Sequence, residues 1–210
     1  MTTLLMVDDH ALVRKGLRAI VQEDLPNVNV EEAGTAREGL EALRQHPADA
    51  VVLDLGLPDH TGLDLLKRIH QEWPRLPVLI LSMYDEEQYG LRAMRAGASG
   101  YLSKGSAPEN LVFALKKILH GGRYVSANLG ERLAAHVSGD LQDEPHQALS
   151  DREYQVLRLI ASGKSVSDIA GELSLSVKTV STHRARILQK MGLKHNADLT
   201  HYAMSKGLVD

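Results

Sequence analysis

Asp8 and Asp9 follow the apolar run Leu4-Leu5-Met6-Val7, and Asp54 follows Val51-Val52-Leu53. Ser82 closes a third apolar run, and Lys104 stands just after a fourth. Carboxylates gathered at one place repel each other and need a counter-ion. A hard divalent cation such as Mg2+, which prefers oxygen ligands and keeps some waters, is the natural one. A metal, a hydroxyl and an ammonium around one carboxylate suit a phosphoryl group, whose oxygens carry developing charge during transfer. Acids that follow strands also cap helices and turns, and that role would suffice for Asp8 and Asp9 alone. The whole set of Asp8, Asp9, Asp54, Ser82 and Lys104 at successive run ends argues for a site.

Such a set can act together only if the runs lie side by side. Residues 3–7, 28–33, 50–53, 78–82 and 100–102 read as strands, several of them apolar at consecutive positions, as in strands buried on both faces. Helical periods occupy residues 11–23, 35–46, 61–73, 86–96 and 108–120. Thr35 with Glu38 makes a capping box, and Pro108 fits a first helical turn. Five strands alternating with five helices predict an α/β fold with a flavodoxin-like, doubly wound five-stranded parallel sheet. That order sets the first and third strands next to each other, so Asp8, Asp9 and Asp54 converge at the carboxyl ends of the strands.

After His120-Gly121-Gly122 the pattern weakens: residues 125–137 read as a short helix and 138–146 as a polar, acidic linker. A second, all-α unit starts at Ser150, which can cap a helix with Glu153 reaching back. Its helices are expected at 151–162, 166–173, 177–191 and 197–206, with the short turn Ser174-Leu175-Ser176 giving helix-turn-helix spacing. The expected division is therefore 1–122, a linker at 123–146, and 147–210. Charge follows it. From Gln147 onward nine Lys or Arg meet six Asp or Glu, a net of +3; the preceding residues hold 15 basic and 21 acidic residues, a net of −6. Different partners for the two halves follow from that asymmetry.

With 43% hydrophobic and 24% charged residues the 210-residue chain is ordinary for a globular protein. It has no cysteine, which excludes disulfide and thiolate chemistry and suits a reducing cytoplasm. No apolar run approaches the roughly 18 residues that span a bilayer, so no membrane partner is expected. P-loop and Rossmann glycine patterns are missing.

The segments "VDDH", "LDLGLPDHTG", "LSM" and "GYLSKG" resemble the receiver domains of two-component response regulators over the first 120 residues. The resemblance implies that Asp54 is the phosphoacceptor and that Asp8, Asp9 and the Gly56 carbonyl join Asp54 in organising Mg2+. It implies that Ser82 and Lys104 hold phosphoryl oxygens and that Tyr101 is the switch aromatic. Ser82 is expected to move to the new oxygen and vacate space for the Tyr101 ring. Two departures stand out. Gly105 follows Lys104 where many relatives have proline, and Gly56 offers no side chain to the phosphoryl group. His10 reads as a turn residue. Haloacid-dehalogenase-like phosphatases, which also form phospho-aspartate, carry a second acid where Gly56 stands, so an enzyme is not expected.

In the helix at 177–191, Val180, Ile187, Leu188 and Met191 share one face and should pack inward. At 100° per residue, Lys178, Thr182, Ala185, Arg186 and Gln189 face outward. Ser181 lies at the edge, and Arg184 snorkels from the apolar side. A compact helical bundle with a solvated basic face would show the same period. The segment also resembles the LuxR-type helix-turn-helix through "LSDRE", "IA" and "KTVSTHRARILQKMG", and the combined order is that of the NarL/FixJ class. This resemblance implies double-stranded DNA with paired half-sites, a homodimer on activation, a sensor histidine kinase as phosphoryl donor and RNA polymerase as a further partner. The DNA-facing set comprises Lys178, Thr179, Ser181, Thr182, His183, Arg184, Ala185, Arg186, Gln189 and Lys190, with Lys178, Arg186 and Lys190 the phosphate contacts. A degenerate receiver that binds DNA without phosphorylation is the alternative. The filled acidic, hydroxyl and lysine positions count against it.

Overall fold

In the computed structural model the alternating runs form a parallel sheet with helices on both faces. The structure describes residues 2–106, 108–138 and 144–209, in two compact units that divide near residue 140. The first contains β1 (Thr2–Val7), α1 (Ala11–Asp24), β2 (Val28–Ala33), α2 (Ala36–Gln45), β3 (Ala50–Leu53) and α3 (Gly62–Glu72). It continues with β4 (Val78–Ser82), α4 (Glu86–Arg95), β5 (Gly100–Ser103), α5 (Pro108–Leu119) and α6 (Ala127–Val137). The strand order is β2-β1-β3-β4-β5, the flavodoxin-like order expected. Strands and helices of the sheet end within one residue of their predicted limits.

Register does the positioning. Val7 pairs with Leu53 across β1 and β3, so the next residues, Asp8 and Asp54, leave the sheet side by side. The Asp54 N–H donates to the Val7 carbonyl at 2.9 Å. On the other side Ser82 pairs with Ser103, and the Lys104 N–H donates to the Ser82 carbonyl at 2.9 Å. Below these ends, Leu4, Met6, Val30, Val52, Leu79 and Leu81 pack with Val21 of α1 and with Leu111, Leu115 and Ile118 of α5. Each such fully buried side chain contributes about 1.5–3 kcal/mol. Alternate strand residues face the other side, where Gly39 of α2 lets the helix close onto Val7: a Cβ there would lie 3.0 Å from a Val7 methyl.

The caps are mostly as expected, with one difference. Thr35 accepts the Glu38 N–H at 3.1 Å, but the Glu38 carboxylate accepts from Gly34 rather than from Thr35, at 2.7 Å. Residues 123–138, read as the start of a linker, pack on the first unit through α6. Residues 139–143 of the expected linker lie outside the described residues.

The second unit opens with a 3-10 turn (Pro145–Ala148), followed by α7 (Asp151–Ala161), α8 (Val166–Glu172), α9 (Val177–Met191) and α10 (Asn196–Ser205). Its core comprises Tyr154, Val156, Leu157, Ile160, Ile169, Val180, Ile187 and Leu199, among others. The expected Ser150–Glu153 capping box starts α7. Ser176 caps α9 by accepting the Thr179 N–H, and Gly192 ends that helix in the left-handed region at φ 66°. Among the described residues no helix is long and apolar enough to cross a membrane.

Candidate functional site

Asp8 and Asp54 are both only 4% exposed. Two buried carboxylates side by side need a cation, and the protein supplies one of its own. The Lys104 ammonium lies 2.7 Å from Asp8 and 2.6 Å from Asp54. Burial works against a charged amine, yet its hydrogen bonds and attraction to Asp54 and Asp8 outweigh that cost and raise the Lys104 pKa above its ordinary value. Lys104 is therefore charged throughout the physiological range.

Asp9 is more exposed and meets the His10 ring, whose Nδ1 lies 2.6 Å from its carboxylate. Asp8, Asp9, His10 and Asp54 each bring one ligating atom within 4.8 Å of the others. Three carboxylates at that spacing fit a small hard cation that retains waters, so Mg2+ suits the donor set. Gly56 borders Asp54: a Cβ there would lie 3.6 Å from Asp54 Oδ2. His10, read as a turn residue, is the N-cap position of α1 and also a fourth member of the cluster.

Ser82 and Tyr101 sit deeper. Both are 1% exposed. The Ser82 hydroxyl accepts the Tyr84 N–H at 3.3 Å, and the Tyr101 hydroxyl donates to the Tyr84 carbonyl at 2.7 Å. Burial, followed by the nearby Tyr89 and Asp54, pushes the Tyr101 pKa up, so the ring stays neutral. In this state the ring is already inside and hydrogen-bonded. Both side chains hold the same residue, Tyr84, at the start of the loop into α4.

Three residues of the site gave no role in the sequence. Arg14 donates to the Asp8 carbonyl at 2.5 Å and reaches Glu32 at 3.2 Å, pinning the β1–α1 loop. Asp59 accepts the N–H groups of Ala36 and Arg37 at 2.9 and 3.0 Å, tying the loop after Asp54 to the start of α2. Burial opposes its charge, but the four backbone hydrogen bonds win and hold its pKa below the usual carboxylate value. Gly62 begins α3 where a Cβ would lie 2.2 Å from the Asp54 carbonyl oxygen and 2.5 Å from Leu55 Cα. No other residue allows that loop to close. Asp59 and Gly62 both belong to "LDLGLPDHTG", which was the available signal.

On α9, Lys178, Thr182, Ala185, Arg186 and Gln189 are exposed on the outward face, as expected, Ser181 is exposed at its edge, and Thr179 is half-buried at its base. Val180 and Ile187 are buried, whereas Leu188 and Met191 are only half-buried. Two basic residues of α9 are engaged within the unit. Arg184 donates to the Asn196 side chain at 2.5 Å. The Lys190 ammonium lies 2.7 Å from Glu153, which is 3% exposed, and 3.4 Å from the Ala148 carbonyl. Lys190, expected as a phosphate contact, therefore neutralises a carboxylate between α7 and α9. His183 is half-buried; desolvation lowers its pKa, so it presents a neutral ring.

Comparison with known proteins accords with this geometry. Residues 4–116 match the response regulator receiver domain, and residues 147–203 match the bacterial regulatory proteins of the luxR family. The chain is 33% identical over its full length to Response regulator UvrY of Escherichia coli, of which it covers 97%. It is 36% identical to Oxygen regulatory protein NreC of Staphylococcus epidermidis, with 99% of both chains covered. RcsB of Salmonella enterica serovar Typhimurium, bound to promoter rprA in the presence of phosphomimetic BeF3-, superposes with a TM-score of 0.64 at 27% identity. That match covers 96% of this chain and 97% of RcsB. A buried acidic pocket with its own lysine and a capped helix-turn-helix thus occur in a chain that belongs to the two-component response regulators of the NarL/FixJ class, with a receiver domain and a LuxR-type DNA-binding domain.

Proposed function

We propose that Asp54 accepts a phosphoryl group from a sensor histidine kinase, in a reaction that depends on Mg2+, and that this modification controls transcription through the second domain. The bridging of Asp8 and Asp54 by Lys104 carries this reading. An Asp54 oxygen forms the new P–O bond as the P–N bond to the donor histidine breaks, leaving an acyl phosphate and a free imidazole. The Lys104 ammonium, already beside Asp54, hydrogen-bonds the arriving oxygen, and the Ser82 hydroxyl turns from Tyr84 to donate to a second. Asp8, Asp9, Asp54 and the Gly56 carbonyl would hold Mg2+, which when bound offsets charge on the transferring oxygens. Asp54 is consumed as a substrate would be, so the protein acts as a phosphorylated regulator and not as an enzyme.

The proposed division is a receiver at 1–122, a connector at 123–146 and a DNA-binding domain at 147–210. Lys178, Ser181, Thr182, Ala185, Arg186 and Gln189 would meet double-stranded DNA. Thr179, with the N-terminal turn of α9, and His183 and Arg184 would lie at the margin. Paired half-sites read by a homodimer, contact with RNA polymerase and a cytoplasmic location complete the reading. The RcsB–promoter structure supports the DNA-bound form.

Incubation with acetyl phosphate and Mg2+ followed by mass spectrometry tests the proposal. A labile phosphoryl adduct is expected on the wild type, with none on Asp54→Asn. Equal yields on the two, or no adduct on either, would overturn it and favour a phosphorylation-independent regulator.

A further inference from the structure

The chain leaving α5 does not simply run out toward the second domain. It turns at Gly121, where φ is 78°, and lays Tyr124 along the open side of β5. The Tyr124 N–H donates to the Ser99 carbonyl at 2.9 Å, and the Tyr101 N–H donates to the Tyr124 carbonyl at 3.2 Å. Gly100 makes this approach possible, since a Cβ there would stand 2.7 Å from the Tyr124 carbonyl oxygen.

Three residues later α6 begins and lies against α4. Leu129 is 2% exposed, seated over Gly90 of α4, where a Cβ would lie 3.0 Å from both of its terminal methyls. The polar contacts gather at the first turn of α4. Ser126, the N-cap of α6, donates its hydroxyl to the Glu86 carboxylate. Asn128 donates to the Glu87 carboxylate at 2.8 Å, and Arg132 donates to the Glu87 carbonyl. At the far end Arg95 meets His136.

Glu86 and Glu87 follow the loop that starts at Ser82. That loop is held by Tyr84, which donates its N–H to the Ser82 hydroxyl, accepts from the Tyr101 hydroxyl and stacks its ring on Tyr89 of α4 at 4.8 Å. A Ser82 hydroxyl drawn to a phosphoryl oxygen gives up Tyr84, and the loop into the first turn of α4 loses one of its three anchoring contacts. The residues that would shift are the same ones that hold α6.

From this wiring we infer that α6 is a latch on α4, closed in the unmodified receiver and released when Asp54 is phosphorylated, so that the connector itself carries the signal out. The latch rests on the proposed phosphorylation of Asp54. Its occupant is this chain's own helix, and its polar catch is Ser126, Asn128 and Arg132 against Glu86 and Glu87. Opening it exposes the Gly90–Leu129 seat and frees residues 126–138 to follow the DNA-binding domain.

Amide hydrogen exchange on the full-length protein, with and without acetyl phosphate and Mg2+, tests this, with the Asp54 adduct monitored on the same samples. Amides of residues 127–136 are expected to exchange at least tenfold faster in the phosphorylated sample, while those of β1 and β3 are unchanged. The double variant Asn128→Ala/Arg132→Ala should show the fast exchange without phosphorylation and keep the wild-type adduct yield. An adduct on Asp54 with unchanged α6 exchange overturns the latch alone. Absence of any adduct overturns the latch together with the reading beneath it.

Discussion

Replacing Lys104 with Met keeps an unbranched side chain only one atom shorter and removes the charge that bridges Asp8 and Asp54. One oxygen of each carboxylate lies within 4.8 Å of the other group. Two like charges at 4.8 Å, at an effective dielectric of about 20, repel by about 3.5 kcal/mol. Removing one partner of a buried ion pair costs about 3–5 kcal/mol by experience with other proteins, so the two routes agree. The Lys104 pKa is raised from 10.5 in the folded state. Its contribution is therefore complete below that pH and fades only as pH rises through the folded value, so a measurement at pH 7.5 sees all of it. Trp73 is the protein's single tryptophan and lies at the end of α3, so its fluorescence during a urea titration reports the receiver alone. Without metal, Lys104→Met should unfold with a loss of about 3 kcal/mol, near 10 °C in melting temperature for a domain of this size. On the proposed Mg2+ site, saturating Mg2+ should replace the lost cation, and at a hundred times its dissociation constant it should return about 2.7 kcal/mol. A variant within about 0.5 kcal/mol of wild type, or one that Mg2+ stabilises no more than wild type, would refute the view that Lys104 is the resident counter-ion.

Gly62→Ala should cost more than about 3 kcal/mol in the same titration, because the added carbon meets backbone and not a flexible side chain; phosphorylation by acetyl phosphate should fall with it. Glu153 has its charge opposed by burial, but the Lys190 hydrogen bond and the Ser150 N–H prevail and its pKa is lowered from 4.5. Its stabilisation of the second unit is thus present above pH 4.5 and lost as pH falls through the folded value. Glu153→Gln should flatten that acid limb, as read by circular dichroism of residues 144–210. Arg186→Ala should weaken binding to unrelated DNA sequences similarly and lower the salt slope by about one unit, measured by fluorescence anisotropy; an altered base preference with an unchanged slope would refute its role as a phosphate contact.

Local pattern was the legible part of this molecule. Apolar runs of four, such as Ala50-Val51-Val52-Leu53 before Asp54, mark strands buried on both faces, and from the strand order the convergence of Asp8, Asp54 and Lys104 follows. Ser150 with Glu153 was equally readable, since a capping box spans only four residues. Partners set by the folded chain were not readable. Glu153 meets Lys190 across 37 positions, and nothing in the period of α9 distinguishes a lysine bound to a carboxylate from one facing solvent. Asp59 caps α2 from 23 positions away. The helix at 125–137 could be seen, but its seat on Gly90 could not. A glycine in a helical period reads as a weak point until something is found packed on it.

The single residue of chain laid along β5 has one further consequence. β5 is a terminal strand of the sheet, and an exposed strand border invites another chain to pair with it and aggregate. Tyr124 takes up the Tyr101 amide hydrogen and bonds back to Ser99, so the start of this border is already paired by the protein's own backbone. A chain seeking to extend the sheet there would first have to displace Tyr124, whereas the opposite border is β2.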